Sequence, residues 1–200
     1  MGINLTKGQR IDLTKGNAGL SQIMVGLGWD AAQNKSGGIL GGLFGSKAAD
    51  IDCDASVLML NENGKFSRKQ DLIYFGNLKS TCGSVVHTGD NLTGDGDGDD
   101  EQIIVDLNKV PSTIHKLVFV VNIYDCIKRK QDFGLIKNAF IRIVNGSTSQ
   151  EIIRYNLSDE YMGKTTLIVG ELYRHNAEWK FAAIGEGTHD SSLSEIVKRY

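Results

Sequence analysis

The sequence predicts an all-β protein, built as an antiparallel β-sandwich with short helical segments and a C-terminal helix. Three observations predict it. Roughly nine or ten apolar runs have strand length and lie between turn signals. Glycine occurs 24 times and proline once among 200 residues. Helix-spaced apolar patterns between these runs are too weak for a doubly wound α/β sheet. The length suits one domain with a real core, so residues 1–200 are taken as a single domain.

The predicted elements follow from local patterns. Residues 4–8 and 12–16 each alternate apolar and polar and end in Lys-Gly, which predicts a local hairpin. Residues 31–49 are polar or glycine-rich and predict a flexible loop, residues 125–131 a helical turn, and residues 192–200 a helix capped by Ser192 or Ser194. The main strands are predicted at residues 23–29, 50–60, 72–75, 84–86, 102–107, 116–124, 139–144, 151–155, 166–173 and 179–184.

Composition excludes several classes of protein. The net charge is only −2 and no Lys/Arg cluster stands out, which argues against a nucleic-acid partner. The N-terminus lacks the apolar region of a secretion signal, and no run approaches the roughly 18 apolar residues that span a bilayer. Three widely spaced cysteines, Cys53, Cys82 and Cys126, predict buried free thiols in a reducing compartment. We therefore expect a cytoplasmic protein.

The acidic segment at residues 89–101 carries the strongest functional signal. Six of the chain's 24 acidic side chains fall within it, spaced by glycines. Such crowding is repulsive unless a hard cation is bound, and calcium takes about 6–8 oxygen ligands with flexible geometry. Magnesium prefers fewer carboxylates and more water, and zinc would require Cys or His ligands. The other interpretation is an acidic hairpin tip that only faces water.

The segment is not an EF-hand. A register that starts at Asp95 places Asp100 where glycine is needed, and one that starts at Asn91 ends on Gln102. Its flanks are also strand-like, so we interpret it as a calcium-type loop between two strands. A second acidic set, Asp52 and Asp54 with Asp50, shares one face of a predicted strand. That face either lies exposed or completes the coordination shell beside the loop, as Asp30 could too.

Catalysis is weakly supported. Glycosidases and metal-dependent phosphoryl enzymes also use carboxylate clusters, but they need a positioned base or a cationic clamp on the substrate. The arginines are scattered along the sequence: Arg129, Arg142, Arg154 and Arg174. The four histidines show no spacing typical of metal ligands and are expected at the surface or at the edge of the core: His87, His115, His175 and His189. No nucleophile-elbow or phosphate-loop motif is present, and Gly26-Leu27-Gly28 indicates strand packing. We expect no enzyme.

Nine short pieces distributed along almost the whole chain form a recognisable set: NLTKG (4–8), VGLGWD (25–30), DIDCDAS (50–56), NLKS (77–80), HTGDNLTG (87–94), GDDE (98–101), FG (133–134), NAFIR (138–142) and GELYR (170–174). In these pieces the chain resembles the TerD family of bacterial tellurite-resistance and general-stress proteins. The resemblance implies a β-sandwich that binds calcium through the acidic loop and the neighbouring Asp strand.

The same resemblance implies a ligand set. Matching the family motif are Asp90, Asn91, Thr93, Asp99, Asp100 and Glu101 in the loop, with Asp52 and Asp54 on the strand. Asp95 and Asp97 stand where relatives often carry Glu, and Cys53 where they usually have an aliphatic residue. So many oxygen donors suit more than one ion, and we expect two Ca²⁺.

The function implied is that of a non-catalytic calcium-binding protein in a stress and tellurite-resistance system, acting as an interaction module. Its expected partners are other proteins of that system, with no nucleic acid and at most peripheral membrane association through those partners. The alternatives are a scaffold with purely structural calcium and a metal-dependent hydrolase. Because no thiol cluster exists to reduce tellurite, resistance would arise indirectly.

Overall fold

Two six-stranded sheets face each other in the computed structural model, which describes residues 2–31, 51–89, 98–157 and 159–200. The predicted sandwich is confirmed. Helices are short: α1 is Cys126–Arg129 and α2 is Leu193–Val197. The strands are β1 Ile3–Leu5, β2 Arg10–Asp12, β3 Gln22–Ala31, β4 Cys53–Leu60, β5 Leu72–Ile73, β6 Val85–His87, β7 Glu101–Asp106, β8 Lys116–Ile123, β9 Ile136–Asn145, β10 Glu151–Asn156, β11 Thr166–His175 and β12 Glu178–Thr188.

The strand order is β1-β10-β9-β3-β7-β6 in sheet A and β2-β12-β11-β8-β4-β5 in sheet B. Neighbours are antiparallel except β1 and β10. The predicted N-terminal hairpin is wrong, because β1 joins sheet A and β2 joins sheet B. A turn in which Gln9 N donates to Thr6 O (3.0 Å) carries the chain across the sandwich, and each strand then covers an edge of a different sheet.

Sheet B is covered on both faces. The inner residues of β4 lie in the sandwich core, which includes Val57 and Met59 together with Val25 of β3. Its outer residues Leu58 and Leu60 belong to a second apolar cluster, into which α2 inserts the fully buried Ile196. Burial on both faces explains why β4 reads as a continuous apolar run and not as an alternating one.

The cysteine prediction was partly wrong. All three thiols are free, as expected, and Cys53 and Cys126 are buried, but Cys82 is exposed in a turn. Of the predicted glycine-rich loop, residues 32–49 lie outside the described residues. In the part of the chain that the structure describes, no helix has both the length and the apolar character needed to cross a bilayer.

One end of the sandwich gathers the segments of functional interest. There β3 and β8 stop and β4, β7 and β9 begin, and we call it the acidic end. Two hydrogen bonds tie these segments together: Tyr124 N donates to Asp52 O (2.8 Å), and Ala55 N donates to Glu101 Oε2 (2.6 Å). The Asp strand and the start of β7 therefore both lie at the acidic end, and completion of a coordination shell by the Asp52 and Asp54 side chains stays a prediction.

Candidate functional site

Half of the predicted ligand set falls within the described residues. Asp52 and Asp54 flank the first residue of β4, and Asp99, Asp100 and Glu101 lead into β7. The other predicted ligands lie outside the described residues: Asp90, Asn91, Thr93, Asp95 and Asp97.

Asp99 is held by an arginine of the neighbouring strand. Arg142 of β9 donates from Nε to Asp99 Oδ1 (2.7 Å) and from Nη2 to Oδ2 (2.9 Å), and Gln102 Nε2 adds a bond to Oδ2 (3.1 Å). The Asp99 side chain is 0% exposed and packs directly over Gly26 of β3. Such a two-pronged pair is strong and orientation-specific. Its hydrogen bond to Asp99 raises the pKa of Arg142.

Arg142 belongs to a charged network on the outer face of sheet A. Its Nη1 lies 3.4 Å from Glu151 Oε2, and Arg154 Nη1 lies 3.8 Å from the same oxygen. The Arg154 guanidinium also stacks over the Phe140 ring, 3.8 Å from its centroid. Arg142 therefore clamps the chain's own acidic segment, and the expectation that the arginines form no clamp on a substrate stays a prediction.

Asp100 faces a different neighbour. Its backbone N donates to Leu27 O (2.8 Å), and its Oδ2 accepts from Trp29 N (2.7 Å). Both bonds extend the pairing of β3 with β7 into the irregular end of β3, so Asp100 fixes the last turn of the acidic segment to that strand. Asp30, the further candidate, is exposed and accepts a hydrogen bond from Asn138 Nδ2 (2.6 Å).

Glu101 points between the sheets. Its Oε2 accepts from Ala55 N in sheet B, and His87 Nε2 lies 3.2 Å from both Glu101 Oε2 and Ala55 O. Gly89 N donates to His87 Nδ1 (3.2 Å), which places the imidazole proton on Nε2. Glu101 and His87 are each 2% exposed. The prediction of a surface or core-edge His87 was wrong, because the alternation of β6 turns it inward beside Val85.

The Asp strand contributes two carboxylates on one face. Asp54 is buried on the outer side of sheet B opposite Asn122, and Asp52 Oδ2 lies 3.4 Å from Arg129 Nη1. Asp50, the third member of the predicted face, lies outside the described residues. Cys53, which lies between Asp52 and Asp54 in the sequence, points into the core. Burial raises the pKa of this thiol well above its usual range, and nearby carboxylates, led by Asp54, add to the effect. Cys53 therefore stays a thiol and offers no thiolate.

The five described carboxylates start close together but diverge. Asp99 lies on the outer face of sheet A, Asp100 on the end of β3 and Glu101 inside the sandwich. Across residues 2–31, 51–89, 98–157 and 159–200, no three His, Cys, Asp or Glu side chains converge in a way that could hold a metal ion. The described geometry thus fixes one end of the acidic segment at three points, each on a different part of the sandwich.

Sequence reasoning missed the pairing of Arg142, the burial of His87 and the identity of the group that packs over Gly26. The signals were present. Glycine inside a strand marks close approach by another group, and Gly26 and Gly28 are packed against Asp99 and Phe140 respectively, as the strand-packing interpretation expected. The period-two pattern of residues 85–87 places His87 on the same face as buried Val85.

Comparison with known proteins gives a consistent result. The TerD domain model matches residues 1–200. The chain is 66% identical to stress response protein SCP2 of Bacillus subtilis (strain 168), over the whole of both chains. It is 42% identical to tellurium resistance protein TerD of Serratia marcescens, over all of this chain and 97% of that one. A crystal structure of a TerD homologue from Streptomyces coelicolor A3(2) matches with a TM-score of 0.63 at 19% identity, over 90% of this chain and 96% of that one.

Proposed function

Since the chain belongs to the TerD family of stress-response and tellurium-resistance proteins, we propose that it is a calcium-binding, non-catalytic protein of a bacterial stress and tellurite-resistance system. The observation that carries the proposal is the threefold anchoring of residues 99–101 to Arg142, Trp29 and Ala55. A segment with six carboxylates is held in place at its C-terminal end, so its remaining oxygens need a cation to offset their repulsion.

The donor chemistry fits calcium. The predicted ligands offer only oxygen: carboxylates, one amide and one hydroxyl. The nearby thiol of Cys53 and imidazole of His87 do not point toward these oxygens, because Cys53 lies in the core and His87 faces Glu101. Hard oxygen donors without thiolate or imidazole favour Ca²⁺ over zinc.

The geometry also separates roles within the set. Both oxygens of Asp99 already bind Arg142, and Glu101 is buried between the sheets, so we assign these two to positioning the loop. Direct binding, of two ions in our proposal, is left to the remaining predicted ligands: Asp52, Asp54, Asp90, Asn91, Thr93, Asp95, Asp97 and Asp100.

Calcium supplies positive charge to a repulsive segment, and its binding stabilises the folded state more as the free calcium concentration rises above the dissociation constant. Binding then changes the charge of the acidic end, and we propose that other proteins of the same stress system recognise that change. We propose that the protein acts in the cytoplasm and affects tellurite indirectly, because its three cysteines are free thiols that lie far apart in the sequence.

Isothermal titration of chelator-treated protein with Ca²⁺ and with Mg²⁺ tests the proposal. We expect heat from calcium at millimolar concentration or below, and a higher melting temperature with calcium than with chelator. Asp100→Ala should weaken calcium binding about tenfold or more, which corresponds to the loss of one charged ligand. Asp106→Ala is the matched control, because Asp106 ends the same strand and pairs with Lys109 at the opposite end of the sandwich.

Two results would contradict the proposal. One is a wild-type protein that releases no heat with calcium and melts at the same temperature with and without chelator. The other is an Asp106→Ala effect as large as that of Asp100→Ala, since the loss would then reflect general charge and not the acidic end.

A further inference from the structure

Exposed large apolar side chains are concentrated at the acidic end. Six are exposed in the described part of the chain: Ile3, Phe75, Leu78, Tyr124, Ile127 and Met162. All but Ile3 lie on segments that leave or enter strands at this end. We propose that the acidic end docks on an anionic phospholipid surface when calcium is bound, with Ile127 at the inserting tip. The proposal rests on the proposed calcium binding and names the surface that the calcium-bound form recognises.

The tip is a single helical turn held in a strained conformation. Helix α1 lies between two non-glycine residues with left-handed backbone, Asp125 (φ 51°) and Lys130 (φ 54°). Cys126 is 2% exposed and anchors the turn in the core, whereas Ile127 on the next position is 71% exposed. Strained backbone and an exposed isoleucine are each unfavourable in water, and strain of this kind clusters at functional sites.

Two aromatic rings lie beside the tip. The rings of Phe75 and Tyr124 meet edge to face with centroids 6.4 Å apart, and they are 43% and 47% exposed. Together they form the wall of a cleft of about 360 Å³ on the outer side of sheet B. The guanidinium of Arg129 lies 5.2 Å from the Tyr124 centroid. Tyrosine is suited to the boundary between headgroups and acyl chains because its ring is apolar and its hydroxyl polar.

Charge determines which surface fits. Ile127 is followed by Lys128, Arg129 and Lys130, all exposed, and the Lys128 side chain is 83% exposed. Basic residues next to an apolar tip are attracted to anionic headgroups. The carboxylates that we assign to direct calcium binding oppose that attraction. Calcium removes the opposition, so docking should depend on both calcium and anionic lipid.

The arrangement favours a lipid surface over a protein. Protein interfaces place their apolar anchors in one packed patch with a polar rim. Here the exposed apolar residues stand on separate loops: Phe75 after β5, Ile127 on α1, and Met162, 78% exposed, between β10 and β11. Several apolar loops at one end of a rigid sandwich can enter a bilayer together, since the bilayer adapts to their spacing.

Vesicle co-sedimentation tests the proposal with the full-length protein. Vesicles of phosphatidylcholine alone are compared with vesicles that contain about a third phosphatidylserine, each with calcium and with chelator. We expect binding only to the anionic vesicles and only with calcium. Ile127→Ser should weaken it about tenfold or more, because the transfer of one isoleucine is lost. Lys128→Glu with Lys130→Glu should weaken it further.

The matched control variants change residues away from the acidic end. Ile3→Ser removes an isoleucine of similar exposure (50%) from β1, and Lys65→Glu with Lys15→Glu reverses two exposed charges away from the acidic end. These variants should bind vesicles like the wild type. Calcium titration and thermal unfolding of every variant establish that it is folded and binds metal.

The outcomes separate the two proposals. If calcium binds but no variant or wild type sediments with anionic vesicles, the docking proposal fails and the proposed function stands, and the apolar tip is then assigned to a protein partner. If no calcium binds, both fail. Equal binding in chelator, or equal loss in Ile127→Ser and Ile3→Ser, would also overturn the docking proposal.

Discussion

Gly26→Ala tests the packing of the acidic segment against sheet A. A Cβ at this position would overlap the Asp99 carboxylate, far inside the 3.0 Å that real Cβ contacts keep. Strand β3 lies between β9 and β7 and cannot move aside, so Asp99 must shift and strain its two bonds to Arg142. Overpacking costs about 1–3 kcal/mol. The ion pair between Arg142 and Asp99 is also weakened, by a modest amount because the Arg142 side chain is 29% exposed. The expected decrease in the free energy of unfolding is therefore about 2–4 kcal/mol.

That loss corresponds to a fall in melting temperature of roughly 5–15 °C for a chain of this size. Gly16→Ala is the control, because its nearest neighbour would lie 3.8 Å away and its backbone is unstrained. A double-mutant cycle with Asp99→Ala sharpens the test. Once the carboxylate is removed, Gly26→Ala should have little further effect on the free energy of unfolding. An equal effect in both backgrounds, or a melting temperature close to that of the wild type, would refute the packing argument.

Three further predictions concern other parts of the molecule. Glu101→Gln should lower the free energy of unfolding by about 1–3 kcal/mol, because the buried bond from Ala55 N then ends on a neutral amide oxygen and no longer on a carboxylate. Urea unfolding measures the change, with exposed Glu62→Gln as the control. Gly185→Ala should destabilise by at least about 1 kcal/mol, since Gly185 has φ +62° and a Cβ there would overlap the Tyr155 hydroxyl; wild-type stability would contradict this. Burial raises the pKa of Tyr200 from 10.0 to about 12 in the folded protein. Its contribution to the free energy of unfolding is therefore complete below pH 10 and is lost as the pH rises toward 12. Urea midpoints across that range should fall more steeply for the wild type than for Tyr200→Phe, and parallel curves would contradict the assignment.

The local sequence pattern predicted the fold well where paired strands follow each other in the chain, or where apolar and polar residues alternate clearly along a strand. The strands from Lys116 onward begin and end within a few residues of their predicted bounds. The N-terminal strands were misassigned, because residues 3–5 and 10–12 carry no mark of which distant strand they pair with. Pairing of that kind depends on which sheet edges stay open after the rest has folded, and a short sequence cannot encode it alone.

The residue types of the candidate site could be predicted from the sequence, but the directions in which their side chains point could not. The spacing of carboxylates and glycines indicates a shared cation, but β7 alternates regularly only from Glu101 onward. Before that point tertiary contacts set the directions, so Asp99 turns to Arg142 and Asp100 to Trp29. Arg142 lies on a strand remote in sequence, and nothing near residue 99 indicates the pair. Residues Asp90, Asn91, Thr93, Asp95 and Asp97 remain predictions, as does the calcium they are expected to bind.

The separate destinations of β1 and β2 affect how the chain matures. These strands are synthesised well before their partners β10 and β12, which lie far along the chain. At typical bacterial elongation rates the interval is roughly ten seconds, during which the first dozen residues wait unpaired. Both sheets thus gain an edge strand only after β10 and β12 are made, so a chain interrupted before β12 leaves β2 without its partner and the edge of β11 open.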